Sequence, residues 1–388
     1  MIYQPPALTT LDNQVLADIR SCHDGLQSYL FRPRRWYGTL SRVMMARAVH
    51  GSISIEGYHS TVAETAAILD GEDVPHLDAD TPRAIAAYRD AMTYVLALTD
   101  EDEPPPAMDA TLLKSLHYMM MAFDSGKRPG KWRKGGVWVH NNEGEVVYSP
   151  PSRDELELLI DELVHQVNQD DLDPLVQAAM VHLNLTLIHP FEDGNGRMAR
   201  CLQSFVLAQY TRHPHFMSIE EDLGLRTSEY YGALQDTAAG SWSPGRSTRP
   251  WIEWCLTAHL RQAHRTRWRL DRTEALWSAC EDLAREHGLA DRTVGPLMDA
   301  AYGRIFGRST YIFIVKQSYG DPLSDIAASR DLRAMVSAGL LVPIGAGRGR
   351  RYEASDQLTH LRQELRQAFP RPPDPNPYAN VDLQLSLS

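Results

Sequence analysis

The greatest chemical capacity in this chain lies in one run, His189-Pro190-Phe191-Glu192-Asp193-Gly194-Asn195-Gly196-Arg197-Met198-Ala199-Arg200. It holds an imidazole that titrates near neutrality, a carboxylate suited to a hard cation, and two guanidiniums that meet phosphate with forks of donors. Gly194 and Gly196 allow backbone angles and close ligand approach that other residues resist. Everything that handling a nucleotide triphosphate requires is present in it. Taken singly, a His at a helix end reads as a cap or a surface residue, and Asp-Gly-Asn-Gly as an ordinary turn. Their joint spacing favours a nucleotide site.

The elements that must position this run are legible around it. From Pro174 to Ile188 only Gln177, His182, Asn184 and Thr186 interrupt an apolar stretch, so a helix buried on most faces is expected. Asp173 is its N-cap and Pro174 its first residue. The residue before a proline is biased away from helical angles, which should end the helix near His189. A second helix is expected from about Arg197. A glycine-bearing loop feeding a helix N-terminus offers unpaired amides to an anion.

At every specified position the run resembles the Fic-family motif, His-Pro-Phe-x-Asp/Glu-Gly-Asn-Gly/Lys-Arg-x-x-Arg. The resemblance implies a mainly α fold, a helical bundle with a β-hairpin flap. It also implies roles: His189 as the general base that deprotonates a target hydroxyl, Asp193 as the Mg²⁺ ligand, and Phe191 as the core anchor of the loop. Asn195, Arg197, Arg200 and the amides around Gly194 and Gly196 would grip the phosphates of ATP. Within the family, Gly at position 196 goes with transfer of a nucleoside monophosphate, whereas Lys marks phosphate transfer.

A second resemblance lies upstream, where Ser52-Ile53-Ser54-Ile55-Glu56-Gly57 is similar to the family's inhibitory motif, Ser/Thr-x-x-x-Glu-Gly/Asn. Thr39 to Ile55 reads as a helix, and Gly57 suits the left-handed position past its end. Glu56 then sits at the negative end of the helix dipole, where a carboxylate is mildly unfavourable and calls for a cation elsewhere. By resemblance that cation is Arg200, which Glu56 would keep from the γ-phosphate. The alternative is a solvated Glu beside a helix stop.

Val137-Trp138-Val139 and Val146-Val147-Tyr148 are β-prone runs joined by Asn141-Asn142-Glu143-Gly144, which reads as a hairpin. By resemblance this is the flap, whose strand edge pairs with an extended segment of the target; a purely structural hairpin is the alternative. Ser152-Arg153-Asp154-Glu155 forms a capping box that starts the next helix. Ser228 to Leu234 resembles the helix lining the adenine pocket in relatives, making Tyr231 and Tyr230 candidate base contacts. Trp251 and Trp254, on an expected helix from Arg249 to Trp268, read as core.

With 388 residues and 43% hydrophobic content, two or three domains with proper cores are expected. The net charge of -11 argues against broad coating of nucleic acid. Cys22, Cys201, Cys255 and Cys280 show no paired metal spacing, no run reaches membrane-spanning length, and a soluble cytoplasmic protein follows. A helical region, residues 1–106, ends in the acidic, proline-bearing connection from Asp100 to Pro106. The catalytic core is placed at 107–268, and short helices are expected from Asp271 onward. Within 269–355, a helix from Leu323 to Ala338 precedes Leu340 to Ile344, a Gly345-Ala346-Gly347 turn and Arg350 to Glu353, which suggests a winged helix-turn-helix. Arg330, Arg333, Arg348, Arg350 and Arg351 are its candidate phosphate contacts, with a protein-docking or dimerising module as the alternative to DNA binding. Residues 356–388 are expected as a flexible tail.

The expected activity is transfer of AMP from ATP, with Mg²⁺, to a Ser, Thr or Tyr hydroxyl of a protein, including the chain itself. Two alternatives stand beside it: removal of AMP from a modified protein, with Glu56 placing a water, and a DNA-binding regulator whose site only senses nucleotide.

Overall fold

The structure, a computed structural model, describes residues 1–30, 34–99, 105–141, 143–169, 171–211, 214–320 and 322–379. Much of the expected connection from Asp100, Asn142 of the hairpin turn, Asp321, and the tail from residue 380 lie outside the described residues. The chain divides into two compact units, one of Met1–His23, Ala46–Ala263 and Asp374–Ser388, the other of Asp24–Met45 and His264–Pro373.

The order of elements begins with α1 (Thr10–Leu30), α2 (Tyr37–Ile55), α3 (Val62–Leu69), α4 (Asp80–Leu98) and α5 (Ala110–Met121). A short antiparallel pair follows, β1 (Val139–His140) with β2 (Val146–Tyr148), and then α6 (Leu156–Val167), α7 (Pro174–Ile188) and α8 (Asn195–Ala208). Next come α9 (Pro214–Met217), α10 (Glu220–Leu225), α11 (Thr227–Ala238) and the long α12 (Arg249–Glu286). The chain continues through α13 (Val294–Ala301), α14 (Arg308–Tyr319), α15 (Asp325–Ser337), the antiparallel pair β3 (Leu341–Ile344) and β4 (Arg351–Ala354), and α16 (Asp356–Ala368). The fold is mainly α. Among the described residues no helix is long and apolar enough to cross a membrane.

In the first unit, α7 is the central helix. Asp173 caps it by accepting from Leu175 N, Pro174 opens it, and only Pro174 and Thr186 of its residues escape full burial. It packs along α8 and α6, while α4 packs on α5 and α8. Helix interiors leave no backbone donor for a buried polar side chain, so those on α7 find other partners. Asn184 brackets Tyr3 through Tyr3 N (2.9 Å) and Tyr3 O (3.0 Å), and Gln177 donates to three carbonyls at the end of α6. Trp251 is fully buried and donates its indole N–H to Ala179 O at 2.7 Å; Trp254 stacks on it.

The second unit contains α13 packed on α14 and α16, α14 on α15, and α15 on β3. Four pairs join β3 to β4, from Leu341 with Ala354 to Ile344 with Arg351. Phe306 bridges to Tyr352, with both backbone hydrogen bonds made.

Several boundaries differ from the sequence reading, each for a local reason. The first hairpin strand is confined to Val139–His140, because Arg133 engages the Gly135 carbonyl and holds the chain before Val137 out of the ladder. The short helices expected from Asp271 are instead a continuation of α12 to Glu286, where buried Leu270, Leu276, Trp277, Cys280 and Ala284 recur at helical spacing and no Gly intervenes before Gly288. Helix α15 starts at Asp325 rather than Leu323, because Ser324 caps it by accepting from Ala327 N. The first part of the expected tail is helix α16, capped by Ser355 and fixed by buried Leu358.

Candidate active site

Helix α7 stops at His189, which takes left-handed angles, φ 51° and ψ 58°. A non-glycine residue pays for that conformation, so the surroundings must hold it there. Its Nδ1 lies 3.2 Å from Thr186 O and serves that carbonyl as donor, which leaves Nε2 as the unprotonated nitrogen. Burial pushes the imidazole below its ordinary range, so it is neutral at physiological pH. A neutral ring with a free Nε2 can accept a proton.

The loop after it is tied to itself and to its neighbours. Asn195 Oδ1 accepts from Phe191 N at 2.9 Å and its Nδ2 donates to Phe191 O at 3.0 Å, so this side chain shapes the turn. Phe191 is fully buried, stacked on His117 with ring centroids 3.7 Å apart and tilted against Trp132. His117 Nδ1 accepts from Gly130 N (2.9 Å) while its Nε2 donates to Asp193 O (3.0 Å), and burial lowers its pKa to about 4. Gly194 has φ 77°, a left-handed conformation that favours glycine, and a Cβ there would press on the Met121 thioether at 2.9 Å.

Arg133 adds a second brace. Almost fully buried, it donates Nε to His189 O (3.0 Å), Nη1 to Gly135 O (2.7 Å) and Nη2 to Pro151 O (2.6 Å), while its backbone N donates to Pro190 O. One side chain therefore joins the motif loop to both flanks of the hairpin. Tyr148 donates to Leu187 O at 2.8 Å, and beyond β2 the chain pairs Ser149 with Ser241. That bridge lies just past the β2 end, and among the described residues no other strand pairs with β1. Of the expected docking residues, Val139, Val146 and Val147 lie in the strands, Val137 and Trp138 precede them, and Trp138 and Val146 are exposed.

The first two turns of α8 bring both motif arginines into the interior. Arg200 donates Nε to Ser52 Oγ (2.6 Å) and Nη2 to both Ser52 O (3.0 Å) and Glu56 Oε1 (2.6 Å). Burial alone would weaken its charge, but the Glu56 carboxylate holds the guanidinium protonated, above its ordinary range. Arg197 Nε is 3.8 Å from Glu56 Oε2, and its guanidinium lies 5.7 Å from the Tyr58 ring centroid. Among the described residues, Arg197 Nη1 and Arg200 Nη1 are buried without a hydrogen-bond acceptor in reach. Buried donors without acceptors are costly, and anionic oxygens are the kind of partner that would satisfy them.

Glu56 comes to Arg200 by a defined helix stop. Gly57 N donates to Ser54 O and Tyr58 N to Ile53 O, with Gly57 at φ 84°. The preceding turn of α2 packs very closely on α10: a Cβ on Gly51 would lie 2.3 Å from Glu220 O. Glu220 is itself buried, accepting from Tyr88 (2.8 Å) and Ser204 (3.2 Å), and burial raises its pKa.

Asp193 is the acidic member of the loop. Burial works against its ionisation, but Arg197 and Lys127 outweigh that and hold it below the usual carboxylate range. Its Oδ1 accepts from Gly194 N at 2.6 Å, Lys127 Nζ is 3.1 Å from Oδ2, and Arg197 Nη2 is 3.7 Å from Oδ1. Among the described residues no three His, Cys, Asp or Glu side chains form a metal cage. Mg²⁺ does not need one, since it takes one or two carboxylates and completes its shell with phosphates and water. An ionised Asp193 beside orphaned arginine donors fits that donor set.

On α11, Tyr230 is in the core, its hydroxyl 3.0 Å from His182 Nε2, whereas Tyr231 is half exposed and within electrostatic reach of Glu56 and Arg200. Of the two candidate base contacts, only Tyr231 has a ring accessible to a ligand. The bracing role of His117 and the contact of Lys127 left no signal in the sequence, because each is defined by a partner far along the chain.

Residues 107–207 match the model of the family described as Fic/DOC. The chain is 24% identical over 248 residues to protein adenylyltransferase fic-1 of Caenorhabditis elegans, covering 62% of this chain and 45% of that protein. It is 28% identical over 207 residues to protein adenylyltransferase Fic of Drosophila grimshawi, covering 50% of this chain and 38% of that one. The chain thus spans less than half the length of these curated relatives. A Fic family protein from Desulfovibrio desulfuricans G20 superposes with a TM-score of 0.58 at 21% identity, over 91% of this chain and 99% of the other. Fic-1 from C. elegans gives 0.53 at 20% identity, over 67% and 73%. These two likenesses establish the fold.

Proposed function

We propose that this chain, which carries a Fic/DOC-family domain at its centre, is a protein adenylyltransferase restrained by Glu56. The observation that carries the reading is at Arg200. Its guanidinium faces a site with one buried donor unpaired, and a carboxylate from a different helix takes another of its donors. A group made for phosphate is partly occupied by a removable substitute.

In the reaction, the nucleotide's phosphates take the unpaired donors of Arg197 and Arg200 and the free amides at the start of α8. His189 Nε2 takes the proton of the acceptor hydroxyl as its oxygen attacks the α-phosphorus; the bond to the β-phosphate oxygen breaks and pyrophosphate leaves. Bound Mg²⁺ would be held by Asp193 and would neutralise charge on the phosphates. The left-handed His189, braced by Arg133, fixes the base before substrate arrives, and positioning supplies much of the rate. The exposed edge of β1 suits main-chain pairing with an extended protein segment, and Tyr231 suits stacking on the base. While Glu56 pairs with Arg200, the γ-phosphate lacks its ligand and the nucleotide cannot settle for in-line attack.

Helices α14 and α15 with the β3–β4 hairpin support a winged helix-turn-helix, with Arg330, Arg333, Arg350 and Arg351 on its surface; the side chain of Arg348 lies outside the described residues. Given the net charge of -11, we read this part as a protein-docking or dimerising module rather than a DNA reader. A cytoplasmic location accords with four cysteines outside disulfides.

The test is incubation with ATP labelled at the α-phosphate and Mg²⁺, scoring label on the chain and on lysate proteins. His189→Ala should lose at least a hundredfold in labelling, the lower range for removing a general base. Labelling that survives the substitution removes His189 from the role.

A further inference from the structure

The loop between α5 and the hairpin grips the motif with two consecutive cations. Lys127 Nζ lies 3.1 Å from Asp193 Oδ2, and Arg128 Nη1 donates to Glu192 Oε1 at 2.7 Å. The backbone is specialised to do this. Asp124 caps the turn Ser125–Lys127 by accepting from Gly126 N, and Arg128 follows at φ 52°, ψ 60°, left-handed for a residue with a Cβ. Arg128 also donates to Trp132 O, and Gly130, itself at φ 71°, donates to His117, which holds the Asp193 carbonyl. The position of Lys127 is thus fixed from both sides of the turn.

The charge balance around Asp193 gives this contact a consequence. Asp193 faces two cations, Lys127 and Arg197, which in turn face Asp124 and Glu56, so its own charge is already matched while it is empty of ligand. A divalent cation arriving alone meets a carboxylate already paired and two like charges. A polyphosphate meets the opposite, an excess of donors. Lys127 is half exposed on a long flexible stem, and leaving Asp193 costs it little, since solvent-exposed ion pairs are weak. Once freed, a compact ammonium is a natural ligand for phosphate oxygens.

Resting on the nucleotide-site reading above, we propose that Lys127 exchanges partners during binding: it occupies Asp193 in the resting enzyme, disfavouring metal without nucleotide, and moves to the polyphosphate when nucleotide enters. It is a binding residue for the leaving phosphates and orders metal after or with nucleotide.

The experiment measures two affinities of the full chain: Mn²⁺ alone, by the loss of its free electron paramagnetic resonance signal, and ATP alone in the presence of EDTA, by calorimetry. In Lys127→Met, Mn²⁺ alone should bind up to about fivefold tighter, the scale of one half-exposed ion pair. ATP alone should bind about tenfold weaker, the scale of one lost charge-assisted hydrogen bond. Adding Lys127→Met to Asp193→Asn should leave Mn²⁺ binding unchanged, because the competition has lost its object. Lys127→Gln serves as a second, polar replacement. If wild-type protein binds ATP but either affinity is unmoved in both Lys127 variants, the exchange is wrong and the nucleotide site stands. If wild-type protein binds no ATP at all, the nucleotide-site reading fails and takes the exchange with it.

Discussion

The motif loop and the last turn of α2 both bring charge into the same interior, and they are held in opposite ways. The loop is fixed by many partners: Arg133 on His189 O, His117 on Asp193 O, Asn195 on both sides of Phe191, and Phe191 buried between two rings. Glu56 is fixed by few. It stands one residue past a helix end, at the unfavourable pole of the dipole, and its short contact is with Arg200. A loop held by backbone contacts and buried rings keeps its geometry when one neighbouring helix turn moves. A restraint resting on one helix turn can be lifted without disturbing what it restrains.

The contrast is broken most severely by attacking the loop's brace. Arg133→Met leaves three carbonyls without their donor, and at roughly 1 kcal/mol each the variant should lose about 3 kcal/mol of stability in urea unfolding. Transfer should fall with it, and a variant that keeps full activity would show that the loop holds itself. Gly51→Ala should act on the other side. Its Cβ cannot coexist with Glu220 O at 2.3 Å, so α2 must lift from α10, costing about 1–3 kcal/mol. Because Ser52 and Glu56 ride on that turn, labelling should rise even as stability falls; a fall in both would mean that the turn supports the site as well as restraining it. The smallest effect is in pH. His189 is shifted down by burial, so its neutral form persists below the ordinary range, and the acid limb of the transfer rate should fall below pH 6.5, the unperturbed value. A limb at or above that value would place the imidazole in water.

The parts of this arrangement that the sequence made legible are those written by local rules. Asp173-Pro174 opens α7, Pro190 ends it, Gly57 stops α2, and an apolar stretch buries α7 on nearly all sides. The spacing from His189 to Arg200 pointed to a candidate site, because one short loop and the start of α8 carry an imidazole, a carboxylate and two guanidiniums. What stayed hidden depends on contacts distant in sequence. Lys127 meets Asp193 across 66 positions and His117 meets the same residue across 76, and neither spacing has a period to detect. Tyr230 and Tyr231 are adjacent and alike in sequence, yet one lies against His182 in the core and the other is half exposed, a difference set by the packing of α11.

The central claim is that Glu56 restrains a site already complete. Its most direct measure is the initial rate of AMP incorporation from α-labelled ATP in Glu56→Gly against wild type, with Glu56→Gly/His189→Ala as the control. Freeing Arg200 from a charge-assisted hydrogen bond should raise the rate about tenfold or more, and the control should return it to background. An unchanged rate in a folded Glu56→Gly protein would contradict the account.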